Sequence, residues 1–155
     1  MKRQLKRLML TLMLGAPLSA YADVTCTVTV TGVAFGNYNS LSSASDDSIG
    51  NVGVACTPTA ASTVSYTIGM SVGSGSFTSR QLTSDKDSLA YNIYVDPTRL
   101  QVWGDGTAGT SVVSDSYALS QTQVTRMYGI YGRVPGKQNK QAGSYSDVLT
   151  VTVTY

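Results

Sequence analysis

The chain has 155 residues, contains no His and no Glu, and carries a formal net charge of +2 at pH 7. Four of its eleven basic residues lie within the first seven positions, so residues 23–155 carry seven basic against nine acidic side chains, a net charge of −2. This composition offers no basic surface for nucleic acid or anionic lipid, and it lacks the residues that most general bases, zinc sites and paired-Glu glycosidases use.

The N-terminal segment has the pattern of a secretory signal. A basic start precedes an apolar stretch from Leu8 to about Leu18, and Ala20 and Ala22 supply small residues at the third and first positions before a cleavage point. Because the apolar stretch is too short to span a bilayer comfortably, we expect no membrane anchor. The sequence predicts a signal peptide over residues 1–22 and one exported domain over residues 23–155.

Two cysteines, Cys26 and Cys56, follow the predicted cleavage point. An even number of cysteines in an exported chain favours a disulfide. A metal site would lack His ligands, and the spacing differs from that of a Cys-x-x-Cys redox pair. Closure of a loop of about 30 residues would stabilise the fold by about 3–4 kcal/mol in the chain-entropy account.

Apolar and polar residues alternate along most of the chain, which predicts β-strands, whereas helical periodicity is hard to find. Residues 24–31 place Val24 and Cys26 on an apolar face and Thr on the opposite face. The features predicted up to residue 77 are, in chain order, a strand at 24–31, an apolar patch at 33–38, a Ser-rich loop at 39–48, strands at 52–56 and 64–72, and a turn at 73–77.

The second half of the chain continues the same pattern. The predicted features are a polar turn at 84–88, strands at 89–95 and 100–103, a turn at 104–107, a weak strand at 111–114, a strand at 122–133, a loop at 134–143 and a last strand at 144–155. Strands of five to ten residues separated by turn signals indicate a single antiparallel β-sandwich, an all-β fold.

No motif carries convincing catalytic or metal chemistry. The string at residues 104–107, Gly-Asp-Gly-Thr, suits a hairpin turn better than a calcium loop, which needs more oxygen ligands at fixed steps. The acidic pairs Asp46-Asp47 and Asp85/Asp87 fit solvated turns better than metal sites. We therefore expect no metal and no cofactor.

Two further functions are considered from residue types alone. A Ser/Lys hydrolase needs a desolvated lysine, whereas Lys86, Lys137 and Lys140 all lie in polar loops. The tyrosines and Trp103 could form a sugar-stacking surface, but their alternating positions favour packing within the sheets. An enzyme is the function that the sequence supports least.

The last predicted strand ends at Tyr155 with an apolar face formed by Leu149, Val151 and Val153. An exposed apolar strand edge promotes aggregation unless something pairs with it. Two alternatives remain open: either the fold buries this strand centrally, or another chain completes the sheet by adding a strand.

Short strings spread in order over nearly all of residues 26–155 resemble the spore coat protein U domain family. They are Cys26-Thr-Val, Gly32 and Phe35-Gly36-x-Tyr38, then Leu89-Ala-Tyr-Asn-Ile-Tyr with Asp96, then Trp103-Gly-Asp-Gly-Thr107, Tyr131-Gly-Arg133, Pro135 and Gln138, and finally Ala142-Gly-Ser-Tyr-Ser-Asp147 and Thr150-Val-Thr-Val-Thr-Tyr155.

This family includes subunits of archaic, Csu-type chaperone–usher pili and secreted spore-coat components. The resemblance implies an immunoglobulin-like sandwich that lacks its last strand. A periplasmic chaperone would lend the missing strand, and a neighbouring pilus subunit would replace it after passage through an outer-membrane usher. The acceptor groove would be formed partly by Leu149, Val151, Val153 and Tyr155, and the chaperone would anchor the carboxylate of Tyr155. The expected location is the cell surface or the extracellular medium.

One departure from this pattern concerns the N-terminus. After cleavage following Ala22, only Asp23, Val24 and Thr25 precede Cys26, too few residues for a donor strand. We therefore expect a tip-like or accessory subunit rather than a repeating rod subunit. The alternatives are a non-polymerising secreted coat or biofilm protein and a surface-binding adhesin module with exposed loops near Trp103 or at 134–143.

Overall fold

The computed structural model describes residues 23–155, so the predicted signal peptide lies outside the described residues. Nine β-strands make up the regular structure of this part of the chain, and it holds no helix long and apolar enough to cross a membrane. The strands are β1 Val24–Thr31, β2 Asp46–Pro58, β3 Ser62–Met70, β4 Gly75–Ser76, β5 Ser79–Thr83, β6 Ser88–Tyr94, β7 Val113–Leu119, β8 Val124–Val134 and β9 Val151–Thr154.

The strands form two sheets. A six-stranded sheet has the order β1-β2-β8-β6-β5-β4, and a three-stranded sheet has the order β7-β3-β9. Every strand pairing within these sheets is antiparallel, as predicted. β1 and β9 are therefore edge strands, each paired on one side among the described residues.

The core lies between the two sheets and is built from alternate residues of their strands, as period-two patterning requires. Trp103 is fully buried, and its indole nitrogen donates to the Ile68 carbonyl at 2.9 Å. The other buried apolar side chains are Val52, Val54, Cys56, Val64, Tyr66, Ile68, Met70, Leu89, Tyr91, Ile93, Leu119, Ile130 and Val134.

The predicted disulfide is present between β1 and β2. Cys26 and Cys56 are direct cross-strand partners, and their Cα atoms lie 4.1 Å apart. Cys56 is fully buried and Cys26 packs against the core, so the bridge fastens the edge strand to the interior of the sandwich.

Several predicted boundaries were wrong. The Ser-rich loop ends earlier than expected, because β2 begins at Asp46, where Asp47 binds Arg133 of β8. Residues 100–103 form isolated bridges rather than a strand, the weak strand at 111–114 lies further along as β7, and only the last part of 144–155 is a strand. The short strands β4 and β5 were not predicted.

Candidate strand-acceptor groove

A groove opens the sandwich between two stretches of chain that do not pair with each other. One wall is formed by the end of β1 and residues 32–38, and the other by residues 140–151. The groove has two sections, which share Val33, Phe35, Leu82 and Asp147. We call them the apolar section, with a volume of about 310 Å³, and the polar section, with a volume of about 800 Å³.

The floor of the apolar section consists of core side chains from both sheets. Met70 comes from the three-stranded sheet, and Tyr91, Ile93 and Ile130 come from β6 and β8 of the six-stranded sheet. The polar section instead ends among Lys140, Gln141 and the serines that follow. The groove thus leads from the hydrophobic core to a polar rim.

The inward face of β1 is left uncovered at the groove. Val24 and Cys26 pack against the core, but Val28 and Val30, which lie on the same face, are 42% and 51% exposed. The half of this apolar face that carries Val28 and Val30 is therefore open to solvent.

The opposite wall contains two of the four residues predicted to accept a strand. Leu149 and Val151 line the apolar section of the groove. Val153 lies on the same face of β9 as Val151 and is half-buried, but it is outside the groove lining. Tyr155 is 63% exposed and lies beside Ser65 and Thr67 on the outer face of the three-stranded sheet. The structure brings Leu149 and Val151 together in the groove and leaves Val153 and Tyr155 outside it.

The wall at residues 32–38 was not predicted as part of the site. Val33 and Phe35 point inward and line both sections, and no main-chain hydrogen bond joins residues 33–38 to the main chain of another described residue. The C-terminal end of this wall is fixed by Tyr38. Its hydroxyl donates to the Pro135 carbonyl at 2.9 Å and accepts from the Gln138 amide at 2.8 Å. The apolar patch at 33–38 was the available sequence signal.

Asp147 fixes the wall between Ser144 and β9. Its carboxylate accepts the Ser74 amide at 3.1 Å and the Tyr91 hydroxyl at 2.7 Å. Burial, followed by the bond to Asp147, raises the pKa of Tyr91 well above its ordinary value. The wall is also joined to both sheets, through paired main-chain bonds between Thr83 and Ser146 and a bond from Ser71 to the Thr150 carbonyl.

Arg80 is a fully buried cation near the groove, and sequence reasoning missed it. Its guanidinium donates to the Asn92 side chain at 2.6 Å and to the carbonyls of Ser71 at 2.9 Å, Trp103 at 2.7 Å and, through Nε, Val72 at 3.2 Å. Burial lowers the pKa of Arg80 from its ordinary value. The residue therefore cross-links the chain just after β3, Asn92 of β6 and the main chain at Trp103.

The other residues considered for chemistry have structural partners. Trp103 is inside the core, so the sugar-stacking interpretation does not fit it. Asp105 accepts the Thr107 amide at 2.9 Å, as in a turn, and Lys140 pairs with Asp87 at 3.1 Å. Within residues 23–155, no three Cys or Asp side chains are grouped so that they could hold a metal ion.

Comparisons with known proteins agree with the architecture. The family model of the Spore Coat Protein U domain matches residues 15–152. Protein U of Myxococcus xanthus is 30% identical over 111 residues, which cover 68% of this chain and 59% of that protein, so the chain spans less than two thirds of its relative.

One solved structure is similar to most of the chain. It comes from the CsuC-CsuE chaperone-tip adhesion subunit pre-assembly complex of archaic chaperone-usher Csu pili of Acinetobacter baumannii. The match has a TM-score of 0.55 at 18% identity and covers 85% of this chain and 40% of the other. This likeness confirms the predicted immunoglobulin-like, all-β sandwich.

Proposed function

The chain belongs to the Spore Coat Protein U domain family, and we propose that it is a structural subunit of a chaperone–usher-type surface assembly, not an enzyme. The observation that carries this proposal is the groove between β1 and β9, where core side chains such as Met70 and Ile93 line an open cavity. A strand inserted there by another protein would fill this cavity and cover Val30, which is 51% exposed in its wall, above the already buried Met70 and Ile93.

The groove offers what strand addition needs. Main-chain groups of residues 33–38 have no main-chain partner among the described residues, and β9 pairs on one side only, with β3. An inserted strand would gain main-chain hydrogen bonds at these walls, and its alternate side chains would enter the apolar section. Leu149, Val151, Val153 and Tyr155 are the acceptor residues in this proposal, with Leu149 and Val151 in direct contact with the strand.

The partners follow from the family and from the neighbouring structure, a chaperone–tip subunit complex. A periplasmic chaperone would supply the first strand, and another pilus subunit would replace it after export through an outer-membrane usher. Residues 1–22 would direct export, and the location would be the cell surface or the extracellular medium. The Cys26–Cys56 disulfide suits an oxidising compartment.

Within such an assembly we assign the chain a tip-like or accessory position. On cleavage after Ala22, the mature protein begins at Asp23, which bonds Thr59, and Val24 and Thr25 are already paired in β1. These residues are therefore engaged in the subunit's own sheet and are not free to be donated. Amino-terminal sequencing of the exported protein tests this assignment, and a mature start well upstream of Asp23 would exclude it.

The main test is thermal unfolding of the oxidised domain, residues 23–155, with and without a ten-residue peptide that alternates Val and Thr around a central Phe, between terminal lysines. At a peptide concentration 100 times its Kd, binding to the folded state adds about 2.7 kcal/mol. For a domain of this size we expect Tm to rise by roughly 10 °C. A sharp, high transition without the peptide and no shift with it would instead indicate a self-contained secreted coat or binding protein.

A pair of variants locates the binding site. Val151→Asp places a charge inside the groove wall, whereas Thr152→Asp places the same charge on the outward face of β9. We expect Val151→Asp to abolish the peptide-induced shift and Thr152→Asp to retain most of it. Equal losses would mean that the peptide does not enter the groove.

A further inference from the structure

Two glycines interrupt the wall formed by residues 32–38. An added Cβ at Gly32 or at Gly36 would meet no atom within 4 Å, and Gly36 has φ +73°, in the left-handed region that favours glycine. The three residues between them carry no main-chain hydrogen bond to the main chain of another described residue, and the Ser48 hydroxyl donates to the Ala34 carbonyl at 2.6 Å. The main chain of this short segment is therefore weakly hydrogen-bonded, and the segment is held mainly by the inward packing of its side chains.

The side chains of this segment occupy the middle of the groove. An added Cβ at Gly132 would lie 2.6 Å from Val33 and 2.8 Å from Phe35, so both side chains rest directly on the β8 main chain. The Phe35 ring packs edge-on against Tyr91, with centroids 6.0 Å apart. Phe35 is only partly buried, because the groove is open above it.

We propose that the surface over Gly132 and Tyr91 is a binding subsite for one large apolar side chain of the inserted strand, and that Phe35 holds this place until the strand arrives. Insertion would swing residues 33–35 outward about Gly32 and Gly36 and would bring their main-chain groups, which have no main-chain partner among the described residues, alongside the strand. This inference rests on the proposed function, since it assigns a subsite within the same groove.

The proposal sets a chemical requirement for the partner strand. Its residue over Gly132 must be aromatic or a large aliphatic, because it replaces Phe35 against Tyr91 and the core. A residue nearer the polar section, beside Lys140 and Gln141, has no such requirement. The partner is therefore a strand with one dominant apolar anchor rather than a uniformly apolar one.

The test measures peptide association with Phe35→Ala. If Phe35 occupies the subsite, its removal exposes the binding-competent state. We then expect the Val/Thr peptide that carries a central Phe to bind Phe35→Ala with an association rate about tenfold higher and a Kd about tenfold lower than it has for the unaltered domain. If Phe35 instead forms part of the finished binding surface, the same change weakens binding. Leu41→Ala truncates a side chain that is 88% exposed and is the matched control. It should change neither the association rate nor the Kd of the peptide.

A second variant reports the movement directly, even where Phe35→Ala is too unstable to handle. Phe35→Trp adds a fluorophore at the subsite, while Trp103 stays fully buried as a constant background. We expect peptide binding to shift the emission to longer wavelength as the ring moves into solvent. A shift to shorter wavelength, or weaker binding by Phe35→Ala, would show that Phe35 does not occupy the subsite in place of the strand. The proposed function of the groove would be unaffected. Failure of every variant and of the unaltered domain to bind peptide overturns the proposed function as well.

Discussion

At the scale of single residues, Arg80 determines how the strands meet beside the groove. A fully buried arginine is rare unless its charge is compensated, and here the compensation comes from three carbonyls and the Asn92 side chain rather than from a carboxylate. The Phe77 ring lies 5.2 Å from the guanidinium carbon and adds a cation–π contact. The planar fork of arginine can satisfy all four acceptors at once, which lysine could not.

Replacing this residue tests that account. Arg80→Met keeps much of the side-chain volume but removes the donor to three main-chain carbonyls and leaves the Asn92 side-chain oxygen with only the Ile93 amide, so we expect the free energy of unfolding to fall by about 3 kcal/mol or more. Arg126→Met is the control, since Arg126 stacks on the Tyr117 ring at 4.7 Å and its loss should cost only about 0.5–1 kcal/mol. Urea unfolding at neutral pH gives both values. If both variants lost a similar free energy of unfolding, the hydrogen bonds of Arg80 would not be the source of its contribution to stability.

At the scale of elements, the sequence predicted strands well where one face is apolar over a full run. β1 has the predicted bounds because Val or Cys26 alternates with Thr over its whole length. Residues 144–150 were predicted as strand from a similar alternation, but Asp147 turns inward to bind Ser74 and Tyr91, and the pairing with β3 begins only at Val151. Alternation alone does not indicate that a polar side chain has a buried partner.

The candidate groove was predictable only on one side. The alternating C-terminal run indicated Leu149 and Val151, whereas the wall at residues 32–38 depends on contacts that are distant in sequence. Gly132 allows Val33 and Phe35 to lie on β8, about a hundred positions further along the chain. The burial of Arg80 was not predicted either, because it depends on partners elsewhere in the chain. Nothing in the five residues of β5 indicates that its cation will be buried.

The two open edges also carry the same pentapeptide, which predicts how the free subunit behaves. Thr-Val-Thr-Val-Thr occurs at residues 27–31 in β1 and at 150–154 across β9, and neither copy includes a charge or a proline. Such edges favour pairing with other chains. We expect the free domain to form oligomers as its concentration rises.

Light scattering after size exclusion checks this behaviour. Thr29→Lys places a charge on the open edge of β1 and should lower the mass of the oligomers without lowering the unfolding midpoint. The control is Thr67→Lys, which adds the same charge to β3, a strand paired on both sides by β7 and β9. Strictly monomeric protein at all concentrations would show that the edges are blocked.

At the scale of the whole molecule, tyrosines join the two sheets at a position inside the sandwich. The Tyr66 hydroxyl of β3 bonds the Tyr128 hydroxyl of β8 at 2.6 Å, and Tyr128 in turn donates to Asp115 of β7 at 2.6 Å. The Tyr117 ring packs edge-on against Tyr66, with centroids 6.0 Å apart. Burial, followed by the bonds to Asp115 and Tyr66, raises the pKa of Tyr128, and burial raises the pKa of Tyr117 to about 12.

These shifts make the stability of the sandwich sensitive to alkali. A tyrosine whose folded-state pKa lies above its unfolded value of about 10 stabilises the fold fully below pH 10, and this contribution is lost as the pH rises toward the folded pKa. We therefore expect the urea midpoint to be constant from pH 7 to 9 and to fall between pH 10 and 12. Tyr128→Phe removes one of the responsible groups, so its midpoint should be lower at neutral pH but fall less steeply above pH 10. Tyr155→Phe, at a position 63% exposed, should follow the unaltered domain. If the urea midpoint of Tyr128→Phe fell just as steeply above pH 10, groups other than the Tyr128 hydroxyl would cause the alkaline unfolding, because the loss of stability would then occur without this hydroxyl.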